Sequence, residues 1–228
     1  MRAAAIVGFR KSGKTTLVLD LVRAIKARGL TVSVAKHSHA GFDRGSDTDT
    51  GDALALADCV LGWSEAESFV AWPNEQDPAD LLALAKTDVL LVEGAKTLCT
   101  LPRIILAADE AEAAELDPGL GLAVLAPGEA YDADALADAV LARGFLLPGL
   151  DCAACGHADC RAMAAAIVAG DAQPEDCAAA RGEVAVTLDG RPLALNPFVG
   201  RMLRAALTGM LGELKGFGPG RIRIDMEQ

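Results

Sequence analysis

The sequence predicts an α/β chain built on a mostly parallel sheet, followed by a small cysteine-bearing domain and a C-terminal ββαβ unit. Three observations predict it. The chain opens with an apolar strand, a glycine-bounded loop and an amphipathic helix that lead into a second strand, the βαβ start of a parallel sheet. "DVLLVEG" (88–94) is a continuous apolar run, as expected of a strand buried on both faces. At "LLPGLDC" the composition changes, and four of the six cysteines fall beyond that point.

The elements follow in order. "AAAIVGF" (3–9) is a short apolar strand ended by glycine, and "KTTLVLDLVRAIKARG" (14–29) has apolar positions at helical spacing, with Gly29 as its stop. "TVSVAKH" (31–37) alternates as a strand. "GDALALADC" reads as a short helix, and "VLGWS" and "ESFVAW" as β-rich pieces around a tight turn. "DPADLLALAKT" (77–87) carries Asp at its start and Pro just inside, which predicts a helix feeding the 88–94 strand. "RIILAAD" and "GLAVLAP" are two further strands, and "DADALADAVLARG" closes this part as a helix near residue 144. Beyond the cysteines, "VAVTLDGRPLAL" is a hairpin around Asp189-Gly190. "NPFVGRMLRAALTGMLGELKG" is a helix with an Asn cap and Pro at its first position, and "RIRIDM" is a last strand. The expected division is 1–147, 148–182 and 183–228.

Composition removes several classes of function. At 228 residues the chain has room for one α/β domain plus an appendage. A formal charge of -11, with no basic stripe interleaved with aromatics, disfavours nucleic acid as a partner. Lys86, Asp88 and Glu93 interrupt the best candidate for a membrane span, which needs ~18 to 20 apolar residues. The N-terminal apolar run flows directly into the loop after it and reads as a strand rather than a signal peptide. The expectation is a soluble, cytoplasmic protein, in which thiols stay reduced and clustered cysteines bind metal.

Gly8-Phe9-Arg10-Lys11-Ser12-Gly13-Lys14-Thr15 matches G-x-x-x-x-G-K-[ST] in full and lies between a strand and a helix. This is the phosphate loop of a P-loop NTPase domain. Its backbone N–H groups converge on phosphate oxygens, with Gly8, Lys11, Ser12, Gly13, Lys14, Thr15 and Thr16 as nucleotide-binding residues. Lys14 reaches the terminal phosphates and Thr15 ligates Mg²⁺. A carboxylate is wanted near that metal, and Glu93 at the end of its strand is the candidate, to hold Mg²⁺ or orient the attacking water. Lys14 and Glu93 are thus the expected catalytic pair. Lys96 meets a phosphate or solvent. No [NT]KxD loop marks guanine, so the residues leave GTP and ATP both open.

"AKHSHAGFDRGSDTDTGD" gathers Lys36, His37, His39, Asp43, Asp47, Asp49 and Asp52 past the carboxyl end of the second strand. Ligands lie along that edge in open α/β sheets. Here the sequence resembles a known family. "GFRKSGKTTL", "RGLTVSVAKHSHAGFD", the Asp-Thr pairs after it and "LLVEGAK" are similar to the molybdopterin-guanine dinucleotide biosynthesis adaptor family (MobB), over about residues 1–145. The chain departs from it at Ala57-Asp58-Cys59, where the family has a small Ala-Gly-Ala stretch. The resemblance implies a GTP-binding, weakly hydrolysing homodimer that assists a molybdopterin guanylyltransferase or another molybdoenzyme maturation partner. It also implies that Lys14, Thr15 and Glu93 serve nucleotide and Mg²⁺, while Lys36, His37, His39 and Asp43 line the functional edge.

Cys152, Cys155, Cys160 and Cys177 read C-x2-C-x4-C-x16-C. Three thiols in a tight loop and a distant fourth can each ligate one iron of a [4Fe-4S] cluster. The intervening "RAMAAAIVAG" climbs ~15 Å as a helix, and the return to Cys177 spans up to ~24 Å, so the fourth thiol can come back. Zinc is the rival for four thiolates. The segment resembles a small four-cysteine [4Fe-4S] domain of electron-transfer and corrinoid proteins. His157 is expected in the loop, and Cys59 and Cys99 as small buried hydrophobes. The alternatives to the adaptor reading are an ATP-driven electron-transfer or metallocluster-insertion protein and a redox-switched nucleotide-binding module.

Overall fold

In the computed structural model the described residues are 1–38, 49–179, 184, 186–188, 191–193, 195–218, 222 and 224. Among them, five parallel strands form one sheet: β1 (Arg2–Gly8), β2 (Val32–Lys36), β5 (Val89–Glu93), β6 (Arg103–Leu106) and β7 (Gly121–Leu125), in the order β2-β5-β1-β6-β7. Position in the sheet follows apolar content. The central strands β1, β5 and β6 are buried almost throughout, whereas β2 and β7 at the edges are only partly covered. A parallel sheet of this kind needs cover on both faces.

Alternation along β1 supplies that cover. Ala4 and Ile6 face one side, where they meet Leu17, Val18, Leu21 and Ile25 of α1 (Lys14–Ala27) and Ala137 and Val140 of α5 (Ala133–Arg143). Ala3, Ala5 and Val7 face the other, against Leu82 of α3 (Pro78–Ala83) and Leu116 of α4 (Glu110–Leu116). Leu17, Leu21 and Ile25 sit one helical turn apart and are fully buried. Each such side chain contributes about 1.5–3 kcal/mol before its ordering entropy. Arg28, just past α1, bridges to Asp134 and Asp138 of α5 and fixes the two helices side by side.

A third apolar cluster joins the cysteine segment to the sheet domain. Leu120, Phe145 and Leu147 pack with Met163 and Ala164 of α6 (Cys160–Ala169) and with Cys177, which follows a 3-10 turn (Pro174–Asp176). The chain is therefore pinned where it approaches Pro148-Gly149 and the cysteine segment. The Phe145 N–H donates to the Ala3 carbonyl at 3.0 Å, and the Leu147 N–H donates to the Thr100 carbonyl at 2.8 Å. The peripheral elements are α2 (Asp49–Leu56), the hairpin β3 (Val60–Trp63) and β4 (Ser68–Ala71), a second hairpin β8 (Val186–Leu188) and β9 (Arg191–Leu193), and α7 (Pro197–Gly212). Asp189-Gly190 and most of the expected last strand lie outside the described residues. No helix among the described residues is long and apolar enough to cross a membrane.

Three details differ from expectation. The helix expected over 77–87 spans only Pro78–Ala83, because its end tightens into i→i+3 bonds from Leu84 to Leu81 and from Ala85 to Leu82. The helix α4 was not anticipated between two strands. Its start is nevertheless written in the sequence: the Asp109 carboxylate accepts the Glu112 N–H at 2.8 Å, and the Glu112 carboxylate accepts the Ala108 N–H at 2.8 Å. Cys59, expected to be buried, is exposed beside the β3 hairpin, whereas Cys99 is half-buried against the third cluster.

Candidate functional site

The loop between β1 and α1 is shaped by its two glycines. A Cβ at Gly8 would stand 2.5 Å from the Ser12 hydroxyl and 2.8 Å from the Leu106 carbonyl, so any side chain there collides with the turn or with β6. Gly13 takes φ 93° at the head of α1, a left-handed conformation that glycine reaches without a Cβ penalty. The first turn of α1 has neither a side-chain cap nor an acidic residue. Its N–H groups, with the partial positive charge of the helix end, face the loop. Lys11 stands in the left-handed region at φ 65°, a strained setting for a residue with a side chain.

Register then brings the carboxylate in. Glu93 pairs across the sheet with Ile6 on one side and Lys36 on the other, so the ends of β1, β2 and β5 meet at one edge. The Thr15 hydroxyl donates to Glu93 Oε1 at 2.8 Å, and Lys36 Nζ lies 3.0 Å from the same oxygen. Glu93 is 7% exposed. The Lys14 ammonium donates to the Phe9 carbonyl at 2.6 Å and to the Ser12 hydroxyl at 3.4 Å. Burial pushes the Lys14 pKa below its usual value; Glu93 opposes the shift, and the neighbouring charges of Lys96 and Lys36 add to it. Lys14, Lys36 and Lys96 thus form a basic island in a chain of formal charge -11, and such an island concentrates an anion. Lys96 lies over the Phe9 ring, 3.5 Å from its centre.

The sequence-derived residues are therefore brought together in part. Lys14, Thr15, Glu93, Lys36 and Lys96 converge, and the His37 N–H donates to the Glu93 carbonyl at 2.9 Å. Thr16 is exposed on the first turn of α1. Asp49 begins α2. His39 and Asp43 lie outside the described residues. Phe9, which supplies both a carbonyl and a ring, was not anticipated; its aromatic character inside a phosphate loop was the available signal.

A second site forms where the chain enters α6. Cys152, Cys155, Cys160 and Cys177 line one pocket, whose other walls include Pro148, Leu150 and Met163. Among the described residues, no three His, Cys, Asp or Glu side chains close to the spacing of a single bound ion. Asp151 and Ala153 hold the loop in left-handed conformations, φ 45° and φ 51°. The Asp151 N–H donates to Cys160 Sγ at 3.4 Å, and the Cys160 N–H donates to Asp151 Oδ1 at 2.8 Å. Asp159 caps α6 by accepting the Ala162 N–H at 2.7 Å. Burial pushes the Cys160 thiol up, and the Asp151 N–H works against it. A thiol held neutral in this way becomes a thiolate when a metal takes it as a ligand. Four soft donors around a largely apolar pocket fit an iron-sulfur cluster, which takes one thiolate per iron. Asp151, next to Cys152 in sequence, was missed as a partner of Cys160.

The profile of the family described as "Molybdopterin guanine dinucleotide synthesis protein B" matches residues 3–126, more than half of the chain. The chain belongs to this family. The profile described as "Putative Fe-S cluster" matches residues 147–179, which contain all four pocket cysteines. A Methanocaldococcus jannaschii protein named "Putative molybdopterin-guanine dinucleotide biosynthesis adapter protein" is 24% identical, over 100% of this chain and 98% of its own. The Haemophilus influenzae protein "Molybdopterin-guanine dinucleotide biosynthesis adapter protein" is 33% identical over 44% of this chain and 60% of its own. The crystal structure of Bacillus subtilis MobB superposes with a TM-score of 0.50 at 21% identity, over 64% of this chain and 99% of that one, and shares the fold. The chain is thus a MobB-type adapter of molybdopterin guanine dinucleotide biosynthesis that carries a segment matching the "Putative Fe-S cluster" profile.

Proposed function

We propose that this adapter binds GTP with Mg²⁺, hydrolyses it weakly, and assists a guanylyltransferase that attaches GMP to molybdopterin for a molybdenum or tungsten cofactor. The observation that carries this reading is the 2.8 Å bond from the Thr15 hydroxyl to the Glu93 carboxylate, which sets two oxygens suited to Mg²⁺ beside a phosphate loop. Thr15 and Glu93 hold the metal, directly or through water. Lys14 swings from the Phe9 carbonyl to the terminal phosphates, where its charge is better met. Glu93 orients the attacking water. Lys36, His37, His39, Asp43, Asp49 and Lys96 form the edge that meets substrate or partner. The working form is a cytoplasmic homodimer, and the three units fall at 1–147, 148–182 and 183–228.

Cys152, Cys155, Cys160 and Cys177 hold a [4Fe-4S] cluster, which supplies one-electron chemistry when bound. The apolar cluster shared by α6 and the sheet domain also supports a second reading, an ATP-driven electron-transfer or metallocluster-insertion protein. One turnover experiment tests both. GTP hydrolysis by the anaerobically prepared chain that disappears in Glu93→Gln, with GTP outcompeting ATP, is the expected result. Preference for ATP moves the account to the second reading, and no turnover with either nucleotide removes the hydrolytic claim.

A further inference from the structure

Arg103 begins β6 and is 2% exposed, an unusual place for a guanidinium. Three main-chain carbonyls accept from it. Nη1 donates to Leu116 at 2.7 Å, and Nη2 donates to Lys96 at 2.6 Å and to Leu98 at 3.1 Å. Nη2 also lies 3.5 Å from Cys99 Sγ. Its Nε is buried with no partner. A buried charge is costly unless it is hydrogen-bonded, and here main-chain carbonyls supply those bonds. What Arg103 grips is the segment that follows Glu93.

That segment, residues 94–100, touches both sites. At its start, the Gly94 N–H donates to the Ile6 carbonyl at 2.9 Å, beside the phosphate loop. Ala95 takes φ 54°, a left-handed setting that a residue with a Cβ adopts only when its surroundings impose it. Lys96 follows, over the Phe9 ring. At the far end, Cys99 packs into the apolar cluster that contains Cys177, and Thr100 accepts from Leu147 on the way into the cysteine loop. One short stretch of backbone thus carries a nucleotide-site cation at one end and a wall of the cluster module at the other, with Arg103 bound to its middle.

We propose that Arg103 is a positioning residue that couples the two sites. By holding the Lys96 and Leu98 carbonyls it makes the placement of Lys96 depend on whether the cysteine pocket is ordered around a cluster. The inference rests on the proposed nucleotide site. It extends that reading by naming the residue through which the cysteine module reaches the nucleotide.

The test measures binding of GTP with Mg²⁺ by calorimetry, on the full chain, with the cluster loaded and after chelator stripping. In the unaltered protein the two affinities should differ by about fivefold or more. In Arg103→Met, with its circular dichroism and cluster absorbance retained, the ratio should fall to about one. Arg103→Lys keeps a cation for the Lys96 carbonyl and should recover part of the ratio. A wild-type ratio of one, or an unchanged ratio in folded Arg103→Met, overturns the proposal. Should Arg103→Met not fold, hydrogen exchange on the unaltered chain decides. Faster exchange across residues 95–100 on stripping supports the coupling, and identical exchange in both forms overturns it. Failure of the unaltered chain to bind GTP at all removes the proposed nucleotide function separately, and the exchange measurement still judges the coupling.

Discussion

The loop ahead of α1 and the loop ahead of α6 share a backbone plan and differ in the chemistry around it. Both lead from irregular chain into the first turn of a helix, and both contain side-chain-bearing residues in the left-handed region: Lys11 in one, Asp151 and Ala153 in the other. They part at the helix start. Gly13 leaves the N–H groups of α1 without a side-chain cap, among lysines. Asp159 places a carboxylate on the N–H groups of α6, and the pocket ahead of it is walled by thiols and apolar side chains. An open helix end with cations suits a hard anion, whereas partly buried thiols around an apolar pocket suit a soft metal. The two loops thus differ in what meets the first turn of the helix, although the turn into it is alike.

The phosphate loop stands on the two apolar layers of the sheet, and the cysteine loop on a smaller apolar cluster. Leu21→Ala, deep in the α1 face, should lower stability by about 2–5 kcal/mol in chemical denaturation and should do so whether or not a cluster is present. A loss that depended on the cluster would mean that the two regions are one cooperative unit.

Lys14→Ala removes a charged donor from the phosphate site. A loss of ~1.5–3 kcal/mol corresponds to about 10- to 150-fold weaker nucleotide binding in calorimetry, with the iron content untouched. Asp159→Ala sharpens the contrast from the other side. It removes the α6 cap at a cost of about 0.5–2 kcal/mol, and should reduce iron and acid-labile sulfide per chain while leaving nucleotide affinity in the cluster-loaded fraction unchanged.

The smallest effect belongs to the sheet domain alone. Burial, together with the bond to Asp20 at 2.7 Å, raises the Tyr131 pKa from 10.0 to about 12. A raised pKa means that the folded chain keeps a proton the unfolded chain gives up. This contribution to stability is therefore complete below pH 10 and is lost as pH rises toward about 12. Denaturation midpoints followed over that window should fall in the unaltered protein, and the fall should shrink in Tyr131→Phe.

Much of this contrast was legible in the sequence because it rests on short-range rules. The phosphate loop, the buried run of β5, the Asn196-Pro197 start of α7 and the four-cysteine spacing each carry their own signal. α4 had one too, in Asp109 and Glu112, but seven residues show too little helical period to stand out between two strands. Arg103 was missed for a different reason. An arginine ahead of "IIL" reads as a strand-end cation, and only the fold brings the carbonyls of Lys96, Leu98 and Leu116 around it. The pairing of Glu93 with Lys36 likewise depends on strand order, because β2 and β5 are neighbours in the sheet but far apart in the chain. Local chemistry is written in order along the sequence, whereas couplings across the sheet are fixed by topology.

Calorimetric titration of GTP in the presence of Mg²⁺, on unaltered chain and on Thr15→Val, tests the central claim most directly. The account predicts magnesium-dependent binding to the unaltered chain and its loss or strong weakening in the variant. Binding that is equally strong without magnesium, or unchanged when the Thr15 hydroxyl is gone, would contradict it.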